Sequence, residues 1–469
     1  MLNTKIIATL GPASSSSECL RGLLASEVRV FRLNASHGTW AEHTSNIRQV
    51  RQAADSMELD AAIFLDLQGP QIRLDRFEGG GCDLATGSTF TITVNNILGN
   101  AQRASTDYGD FARDVKRGDF VLLADGRVRL EVLDSDSGSV RCHVVTGGPV
   151  TDRKGINLPG IKVTTPSLTE KDLVDLALGL EQGLDFIALS FVRDAEDVLR
   201  LHKVLREKDV TTRIISKIEK PEGWENLNAI LEESDGIMVA GGDLGVELAP
   251  EKVPFVQKSI IERARQKGKV VITATQILES MMDNPFPTRA EASDIANAIY
   301  DGTDAVMLSG ETSVGKFPVE AAKMMASIVL ETESNRQFRT YKELGLDYSA
   351  SYPEIIAAAA FQASHTAGVA AIAVFTTTGE AARLVSRSRP SVPIYAFTPS
   401  REVARQLLFS YGVHPVFSGV LNSTDQMLAV VERTLLSRGL LRPGDGVVIV
   451  AGQPIGESGA TNLLKLHRV

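Results

Sequence analysis

Short apolar runs alternate with amphipathic helical stretches in this chain, and this alternation limits its fold more than any other feature. The apolar runs are typical of parallel strands buried on both faces. About eight strands alternating with helices is the count of a (β/α)8 TIM barrel, an α/β fold, and a doubly wound open sheet is the structural alternative. The apolar runs are residues 5–10, 28–34, 61–67, 185–191, 213–219, 236–243, 270–276 and 305–311.

The alternation breaks once, between the third and fourth apolar runs. Residues 70–162 carry many Gly, Asp and Thr and several strand-like pieces, with no long helical pattern. We predict an all-β lid inserted at the carboxyl end of the third strand, where the active sites of such barrels form. The barrel then consists of residues 1–69 and 163–335. After a polar boundary stretch, residues 345–469 alternate again and predict a C-terminal three-layer α/β domain.

Composition and charge exclude several classes of function. The net charge of −9 argues against nucleic acid as the main partner. The three cysteines lie far apart, without CxxC spacing, which is typical of a reducing compartment. No apolar run approaches the length that spans a bilayer, and the N-terminal run is too short for a signal peptide. We therefore expect a cytoplasmic protein with no membrane partner.

Polar side chains gather at the predicted carboxyl ends of the strands. Lys217 and Glu219 share one face of the fifth strand, because successive strand side chains alternate. Cations suit a phosphate or carboxylate, and two carboxylates with substrate oxygens and water suit Mg²⁺. We therefore predict that Lys217 faces a transferring anion while Glu219 holds the metal. The strand-end residues are Arg32, Asn34, Ser36, His37, Asp66, Arg73, Lys217, Glu219, Asp243, Thr275 and Gln276.

Each of these residues also has a simpler structural interpretation. A single Lys–Glu pair at a strand end is more often a structural ion pair than a catalytic one. The sequence GGDLG at residues 241–245 is compatible with a tight turn alone. Thr275 by itself suggests a satisfied hydroxyl, and His37 by itself suggests a turn residue. Their joint placement at strand ends favours the functional interpretation, because chance would scatter them.

The motifs around these residues resemble those of the pyruvate kinase family, in family order. The combination of ITATQILESM, PTRAE and DGTDAVMLSGET within residues 272–312 is very specific for that family. The resemblance runs from Thr4 to about Ala322, and the C-terminal unit is similar in pattern but looser. The matching blocks are TKIIATLGPAS, FRLNASHG, LDLQGPQIR, KGINLPG, LTEKD, SFVRDAEDV, ISKIEKPEG, GDLGVEL, ITATQILESM, PTRAEASDIANAIYDGTDAVMLSGET and GKFPVEAA.

The resemblance implies a barrel with a capping insert and a C-terminal regulatory domain, assembled as a homotetramer. It also implies an activity, the Mg²⁺- or Mn²⁺-dependent transfer of the phosphoryl group of phosphoenolpyruvate to ADP. The products are ATP and pyruvate, and the reaction is the last step of glycolysis. By the same resemblance, Lys217 stabilises the phosphoryl group in flight, and Arg32 and Arg73 contact it.

The resemblance assigns further roles residue by residue. Glu219 and Asp243 resemble the ligands of the divalent ion. Gly242, Asp243 and Thr275 resemble the carboxylate site, and Thr275 also lies on the face from which the enolate is protonated. The residues that match the monovalent-cation site are Asn34, Ser36, Asp66 and the carbonyl of Leu67. The residues that match the nucleotide side are Pro12, Asn34 and His37.

Two positions depart from the family pattern inside the barrel. The family block usually reads ARGDLG, whereas this chain has Gly241 in place of the arginine. We expect a looser loop around Asp243 and reduced activity or a weaker oligomer, since the lost guanidinium leaves its partners unpaired. Family members that need K⁺ usually have Glu where this chain has Gln71, and independent ones usually have Lys. We expect K⁺ stimulation, because the other residues of that site are present.

The third departure concerns a candidate effector loop in the C-terminal unit. Sugar-phosphate-activated relatives have a similar hydroxyl-rich loop at a helix start, where backbone N–H groups and hydroxyls cradle phosphate. Glu380 follows the loop where a basic residue would help an anion, which argues against fructose 1,6-bisphosphate and leaves a sugar monophosphate or AMP. An ordinary N-capped helix is the alternative. The loop residues are Thr376, Thr377, Thr378 and Gly379.

Two other functions remain open at this stage. A Mg²⁺-dependent oxo-acid lyase on a related barrel would share Glu219 and Asp243, but it would need neither ADP nor a lid. A non-catalytic binding protein derived from the family is suggested by Gly241 alone. The presence of the whole set of strand-end residues argues against it, because a decayed enzyme is expected to lose at least one.

Overall fold

A computed structural model describes residues 1–340, 344–345, 350–366, 368–455 and 459–469. The strands in chain order are β1 (Lys5–Thr9), β2 (Val28–Asn34), β3 (Ala62–Asp66), β4 (Gly81–Leu84), β5 (Thr89–Thr93), β6 (Arg103–Ser105), β7 (Phe120–Leu123), β8 (Val128–Ser135), β9 (Ser139–Thr146), β10 (Gly148–Thr151), β11 (Ile156–Asn157), β12 (Phe186–Leu189), β13 (Arg213–Ile218), β14 (Gly236–Ala240), β15 (Val270–Ala274), β16 (Ala305–Leu308), β17 (Ala371–Phe375), β18 (Ile394–Thr398), β19 (Val413–Phe417), β20 (Gly446–Gly452) and β21 (Thr461–Arg468).

Helices connect most of these strands. In the described part of the chain, no helix is both long enough and apolar enough to span a membrane. The helices in chain order are α1 (Ser17–Ala25), α2 (Trp40–Ser56), α3 (Phe111–Asp114), α4 (Glu170–Leu180), α5 (Ala195–Glu207), α6 (Pro221–Glu225), α7 (Leu227–Glu233), α8 (Gly241–Glu247), α9 (Val253–Gln266), α10 (Arg289–Asp301), α11 (Gly310–Ser313), α12 (Pro318–Ser334), α13 (Tyr352–Thr366), α14 (Glu380–Arg387), α15 (Arg401–Leu407) and α16 (Thr424–Ser437).

Eight parallel strands close into a barrel in the order β1-β16-β15-β14-β13-β12-β3-β2. The closure confirms the predicted (β/α)8 barrel, and the doubly wound alternative is wrong. All eight strands run in the same direction, so their carboxyl ends meet at one mouth. The strand-end residues therefore have a common location, as the sequence predicted.

Two of the predicted strands continue into residues that form helices. The run at residues 236–243 leaves the strand after Ala240, and its last residues begin helix α8. The run at residues 305–311 likewise ends as a strand at Leu308 and continues into α11. In α8, Leu244 and Glu247 are buried at the three-residue spacing of a helix face, and this packing overrides the strand continuation. Asp243 therefore lies in the first turn of a helix rather than at a strand end.

The chain leaves the barrel after β3 and builds a β-rich unit before it returns through α4 and β12. A six-stranded sheet in the order β11-β7-β8-β9-β5-β6 forms this unit together with a two-stranded sheet of β4 and β10. It has its own apolar core, which includes Phe90, Val132 and Cys142. The insert lies where the sequence predicted it, with the one short helix α3 as an addition.

The C-terminal unit is a five-stranded sheet in the order β19-β18-β17-β20-β21, and its last pair is antiparallel. One face packs against α13, α14 and α15, and the other packs against α16, which gives the predicted three layers. The predicted boundary stretch, residues 331–350, begins inside α12. Residues 341–343 and 346–349 of that stretch lie outside the described residues. The domain limits stay a prediction.

The C-terminal unit also closes the floor of the barrel. Leu408 and Phe409 belong to the apolar cluster inside the barrel, although they follow α15 in the sequence. The Phe409 ring lies 4.2 Å from that of Phe186 and 5.8 Å from that of Phe64, between ring centroids. Phe409 is completely buried. The barrel interior is thus filled from below by the unit that follows it.

Candidate active site

Four charged side chains meet at the carboxyl mouth of the barrel. The Nζ atom of Lys217 lies 3.1 Å from Oδ1 of Asp66 and 3.0 Å from Oε1 of Glu219. Arg32 places Nε and Nη2 each 2.7 Å from Oδ2 of Asp66. Lys217 also donates a hydrogen bond of 2.8 Å to the hydroxyl of Ser190. The structure therefore brings together four residues from strands β2, β3 and the end of β13 that the sequence analysis placed at one site, and it adds Ser190 from the end of β12.

The barrel register explains this meeting. Strand β12 lies between β3 and β13, and Ser190 follows it directly, so its hydroxyl reaches both Lys217 and Asp66. The remaining charges come from β2 and β3, where Arg32 pairs with Phe64 and Asn34 with Asp66. Apolar side chains fill the barrel interior below these residues. The charged side chains therefore lie at the mouth, where water and ligands enter.

The charge states of this cluster are set by mutual neutralisation. Burial alone would raise the pKa of Asp66, but Lys217 and Arg32 outweigh it and hold that pKa below its usual value. Burial would lower the pKa of Lys217, but Asp66 and Glu219 hold it well above its ordinary value. Asp66 therefore stays a carboxylate and Lys217 stays an ammonium ion, although both side chains are buried. A fixed cation of this kind strengthens electrostatic contacts with an incoming anion.

Asp243 and Glu219 form a carboxylate pair beside Lys217. Desolvation and the charge of Glu219 together raise the pKa of Asp243 to about 7. Glu219 is buried and accepts a hydrogen bond of 2.8 Å from the backbone N–H of Phe191, whereas the Asp243 side chain is exposed to solvent. In the described part of the chain, no cluster of three or more His, Cys, Asp or Glu residues could hold a metal by itself. Two carboxylates that disfavour each other's charge, one of them open to solvent, fit a divalent cation whose remaining ligands are substrate oxygens and water.

Thr275 connects the ends of strands β14 and β15. Its hydroxyl accepts a hydrogen bond of 2.6 Å from the backbone N–H of Gly242 and donates one of 2.7 Å to the carbonyl of Ala274. Thr275 has a φ of 69° and Gln276 has a φ of 54°, in the left-handed region that side chains with a Cβ rarely adopt. The surrounding structure holds this strained turn, which fixes the direction of the threonine hydroxyl.

The predicted monovalent-cation residues lie next to the charged cluster. Asn34 pairs with Asp66 in the strand register, and its side chain accepts a hydrogen bond of 3.1 Å from the backbone N–H of Ser36. The carbonyl of Leu67 accepts one of 2.7 Å from Ser190. Oxygen atoms of these residues thus surround one small region of the mouth, and oxygen donors are the ligands that hard cations prefer.

The remaining predicted residues lie at the rim. The guanidinium of Arg73 is held by the side chain of Gln71 and, at 3.5 Å, by the carbonyl of Arg153. No hydrogen bond or ion pair in the described residues joins it to Lys217. His37 is exposed over much of its surface. The neighbouring protein around the rest of its ring, and the charges of Arg73 and Arg32, lower its pKa. Pro12 is exposed at the turn after β1.

The candidate effector loop lies in the C-terminal unit, away from this mouth. The hydroxyl of Thr376 accepts a hydrogen bond of 2.9 Å from the backbone N–H of Gly379. Gly379, with a φ of 83°, is the N-cap of α14 and offers no side-chain cap. Thr376, Thr377 and Thr378 line a hollow of about 750 Å³, and Glu380 lines it as well.

Sequence reasoning missed two groups of residues near the mouth. Ser190 directly follows a strand, and that position was the signal that could have identified it. The second group is a buried ion pair, in which Nζ of Lys220 lies 3.3 Å from Oε1 of Glu247. The same Oε1 accepts a hydrogen bond of 3.2 Å from the side chain of Asn157 in the insert. No local pattern predicts this contact, because its three members lie far apart in sequence.

A closed parallel barrel with a neutralised Lys–Asp–Arg cluster and a carboxylate pair at its mouth defines an enzyme that acts on anionic substrates. The profile of "Pyruvate kinase, barrel domain" matches residues 1–322, and that of "Pyruvate kinase, alpha/beta domain" matches residues 354–467. The chain belongs to the pyruvate kinase family.

Individual relatives agree with this assignment along the whole chain. A pyruvate kinase of Geobacillus stearothermophilus is 45% identical over 99% of this chain and 80% of the relative. One of Staphylococcus aureus strain MRSA252 is 43% identical over 100% of this chain and 81% of the relative. The crystal structure of a pyruvate kinase from Cryptosporidium parvum superposes with a TM-score of 0.92 at 36% identity, covering 100% of this chain and 96% of that one.

Proposed function

We propose that this chain catalyses metal-dependent phosphoryl transfer from phosphoenolpyruvate to ADP, giving pyruvate and ATP. The observation that carries the proposal is the position of Lys217, which is fully charged and held between Asp66 and Glu219 at the barrel mouth. The bond between phosphorus and the enol oxygen breaks, and a bond to a terminal phosphate oxygen of ADP forms. The enolate left behind takes up a proton at its methylene carbon.

Lys217 and Arg32 supply the positive charge along the path of the phosphoryl group. Phosphoryl transfer depends on positioning and on neutralising the oxygens in flight more than on covalent chemistry. Asp66 holds both cations from behind, so their remaining N–H groups are directed to the substrate rather than to each other. Arg73 completes the phosphate site from the rim, where Gln71 orients its guanidinium.

Glu219 and Asp243 are the residues that would hold the divalent cation, Mg²⁺ or Mn²⁺. When bound, this ion supplies positive charge that neutralises the substrate oxygens. Asp243 lies in the first turn of α8, where the backbone N–H groups of Gly242 and its neighbours favour a carboxylate. The backbone around Gly242 and Asp243 and the side chain of Thr275 would hold the substrate carboxylate.

Thr275 is placed to deliver a proton to the enolate face. Its Oγ1 atom accepts a hydrogen bond from Gly242 and donates its proton to the carbonyl of Ala274, so delivery to the enolate requires the hydroxyl to rotate away from that carbonyl. The β-rich insert acts as a lid that excludes water, which would otherwise compete with ADP for the phosphoryl group. Pro12, Asn34 and His37 lie on the side from which ADP would enter.

Asn34, Ser36, Asp66 and the carbonyl of Leu67 are the residues that would hold K⁺. Gln71 supplies no charge of its own, so we expect a monovalent cation to raise the rate. The test compares initial rates in K⁺, in Na⁺ alone and in a buffer of bulky organic cations. Equal rates in all three would contradict this part of the proposal.

The effector loop is the basis of a regulatory proposal. The uncapped start of α14 and three threonines suit a single phosphate group, while Glu380 on the same hollow disfavours a second one. We therefore expect a sugar monophosphate or AMP to shift the phosphoenolpyruvate saturation curve more than fructose 1,6-bisphosphate does. A curve that neither ligand moves would favour a purely structural helix start.

The assay that tests the main proposal measures pyruvate formation from phosphoenolpyruvate with Mg²⁺, with and without ADP. ADP-dependent formation supports the kinase, ADP-independent formation would indicate a lyase, and none from folded protein would indicate a binding protein. Lys217→Met is expected to lower kcat by about a thousandfold, the scale for losing one preorganised charge donor. Lys5→Met is the matched control, since Lys5 is also a buried barrel lysine but lies at the opposite end of its strand.

The assembly and setting of the enzyme follow from the same family assignment. We propose a homotetramer that works in the cytoplasm, where glycolysis runs. Sedimentation of the purified chain tests the assembly, and a stable monomer that retains full activity would contradict it.

A further inference from the structure

Five cationic side chains surround a hollow between the barrel and the C-terminal unit. The hollow is partly open to solvent and also borders Asp304 and Ser410. Two of the cations follow or end helix α9 of the barrel, and three belong to α14 and the turn after it. We call this hollow the junction pocket. Its cationic residues are Arg265, Lys269, Arg383, Arg387 and Arg389.

Carboxylates neutralise only part of this charge. Arg387 pairs with Glu354 at 3.1 Å, and Arg389 pairs with Asp304 at 2.9 Å. In the described residues, no carboxylate lies within ion-pair distance of Lys269 or Arg383. Arg383 instead donates to the carbonyl of Thr378, at 3.3 Å from Nη2. Lys269 and Arg383 therefore have no direct ion pair, although Asp235 acts on both of them from a greater distance, Glu232 on Lys269 and Glu380 on Arg383.

The pKa values of these two cations agree with the lack of a direct ion pair. Burial and the neighbouring charge of Arg213 lower the pKa of Arg383 to about 9, against the opposing effect of Asp235 and Glu380. Burial also lowers the pKa of Lys269. Both groups would regain stability in their charged forms if an anion entered the pocket.

Two buried donors at the same pocket lack hydrogen-bond partners. Ser410 is 2% exposed and Arg389 is 1% exposed, yet Oγ of Ser410 and Nε of Arg389 have no partner in the described residues. A buried polar group without a partner costs free energy, and such groups in folded proteins usually have a ligand or water. Unpaired donors and unpaired cations thus border one cavity.

We propose that the junction pocket binds a phosphate group. Guanidinium and ammonium groups on several sides match the oxygens of a tetrahedral dianion. The pocket is distinct from the reaction site, because Val270 at the amino end of β15 lines it, whereas Thr275 follows the carboxyl end of that strand. The phosphate belongs either to the free ion or to a small phosphate monoester.

Such a ligand would contact both units of the chain at once. Lys269 belongs to the barrel, and Arg383 lies on α14, whose start carries the effector loop. Arg383 and Arg213 of β13 both donate to Thr378 of that loop. A phosphate in the pocket would therefore stabilise the docking of α14 against the barrel and oppose movement of the effector loop.

Calorimetric titration of the full chain with inorganic phosphate, at constant ionic strength set with chloride, tests the proposal. The wild-type chain is expected to show a site that weakens about tenfold for each removed cation in Lys269→Met, Arg383→Met and the double variant. Lys267→Met is the control, because Lys267 is a neighbouring exposed lysine paired with Glu232 outside the pocket. Phosphate binding at the catalytic mouth is common to all five proteins and cancels from the comparison.

Glycerol 3-phosphate in a second titration distinguishes the two sources of the group. Competition with inorganic phosphate would identify a monoester site, and binding of phosphate alone would identify a site for the free ion. Melting temperatures in chloride alone establish that each variant is folded. Identical phosphate isotherms for the wild-type chain and the folded double variant would overturn the proposal.

Discussion

Gly241 lies at the first position of α8, two residues before Asp243, where the pattern of the resembling family usually has an arginine. A Cβ atom there would lie 3.7 Å from Oε1 of Gln257 and 3.8 Å from the carbonyl of Ala274. These are ordinary contacts, and the φ of Gly241 is not in the left-handed region. The backbone therefore does not require glycine, and the missing side chain leaves α8 less restrained than its packing allows.

Replacing Gly241 tests this interpretation. Gly241→Ala is expected to stabilise the fold by about 0.5–1 kcal/mol, because glycine loses more conformational freedom on folding. Gly241→Arg is expected to raise kcat or strengthen the oligomer, since a guanidinium there restores the family network. Urea unfolding, steady-state kinetics and sedimentation provide the readouts. If the arginine variant matches the wild type in activity and assembly, the idea that Gly241 weakens the enzyme should be dropped.

The residues that sequence reasoning found are those that a strand end positions by itself. Lys217, Glu219 and Asp66 follow apolar runs, so barrel topology alone places them at one mouth. The hydrogen bond between Gln71 and Arg73 was not predicted, because it depends on how the chain turns into the insert. The same holds for the left-handed turn at Thr275, which tertiary packing imposes on residues that do not favour it.

At the scale of elements, Glu247 joins three parts of the molecule. It ends α8, the helix that carries Asp243, and pairs with Lys220, which directly follows Glu219 after β13. It also accepts a hydrogen bond from Asn157 on β11 of the insert. Its second carboxylate oxygen is buried and has no partner in the described residues. One side chain thus holds both candidate metal ligands and the lid in a fixed relation.

Removing this carboxylate should affect stability and metal binding together. Glu247→Met leaves Lys220 buried and unpaired, so we expect a loss of about 3–5 kcal/mol in the free energy of unfolding. The apparent affinity for Mg²⁺ should fall as well, because α8 is no longer tied to the end of β13. Chemical unfolding and Mg²⁺ titration of the rate measure the two effects.

A double variant separates the charge from the connection. Glu247→Met with Lys220→Met removes the unpaired cation and is expected to recover most of the stability, since apolar pairs of similar volume replace buried ion pairs well. Its Mg²⁺ affinity should stay low if the pair positions the metal ligands. Full recovery of both would show that Glu247 has a structural role only.

The element pattern also shows where sequence reasoning reaches its limit. The eight barrel strands and the β-rich insert follow from hydrophobic periodicity, which is a local signal. The end of β14 at Ala240 does not follow from periodicity. The segment 241–247 is short and contains three glycines, so burial of one helix face decides its conformation. Similarly, no periodicity in the sequence indicates that Leu408 and Phe409 enter the barrel.

At the scale of the whole molecule, Phe409 couples the two units. Phe409→Ala is expected to cost about 3–5 kcal/mol of the free energy of unfolding, the usual effect of truncating a buried phenylalanine. It should also separate the unfolding of the barrel from that of the C-terminal unit, which calorimetry would record as two transitions. Phe417→Ala is the matched control, because Phe417 is 45% exposed on β19. Equal losses in both variants would contradict the coupling role.

The contact between the barrel and the C-terminal unit also contains a pH-sensitive group, outside the junction pocket. Burial and the positive charges of Lys5, the N-terminal amine and Arg29 together lower the pKa of His414 to about 2. Below its ordinary pKa of 6.5, the unfolded chain binds a proton that the folded chain excludes. The free energy of unfolding is therefore not reduced by this group above that pH, and it decreases as the pH falls below it.

The size of the acid effect can be measured directly. Between about pH 7 and pH 5, we expect the free energy of unfolding to decrease by up to about 1.4 kcal/mol per pH unit from this group once its unfolded pKa is passed. His414→Gln should flatten the dependence by that amount. Urea unfolding at several pH values measures it, and an equal slope in the variant would exclude His414 as the source.

The plug formed by Leu408 and Phe409 also has a consequence for synthesis on the ribosome. The last barrel strand ends at Leu308, about a hundred residues before Leu408 and Phe409. Every barrel strand has therefore left the exit tunnel before the two residues that fill the floor of the barrel have been made. During that interval the nascent barrel exposes an apolar opening, of the kind that chaperones bind and that promotes aggregation. Translation that pauses within this interval should therefore reduce the yield of folded protein more than a pause after residue 409.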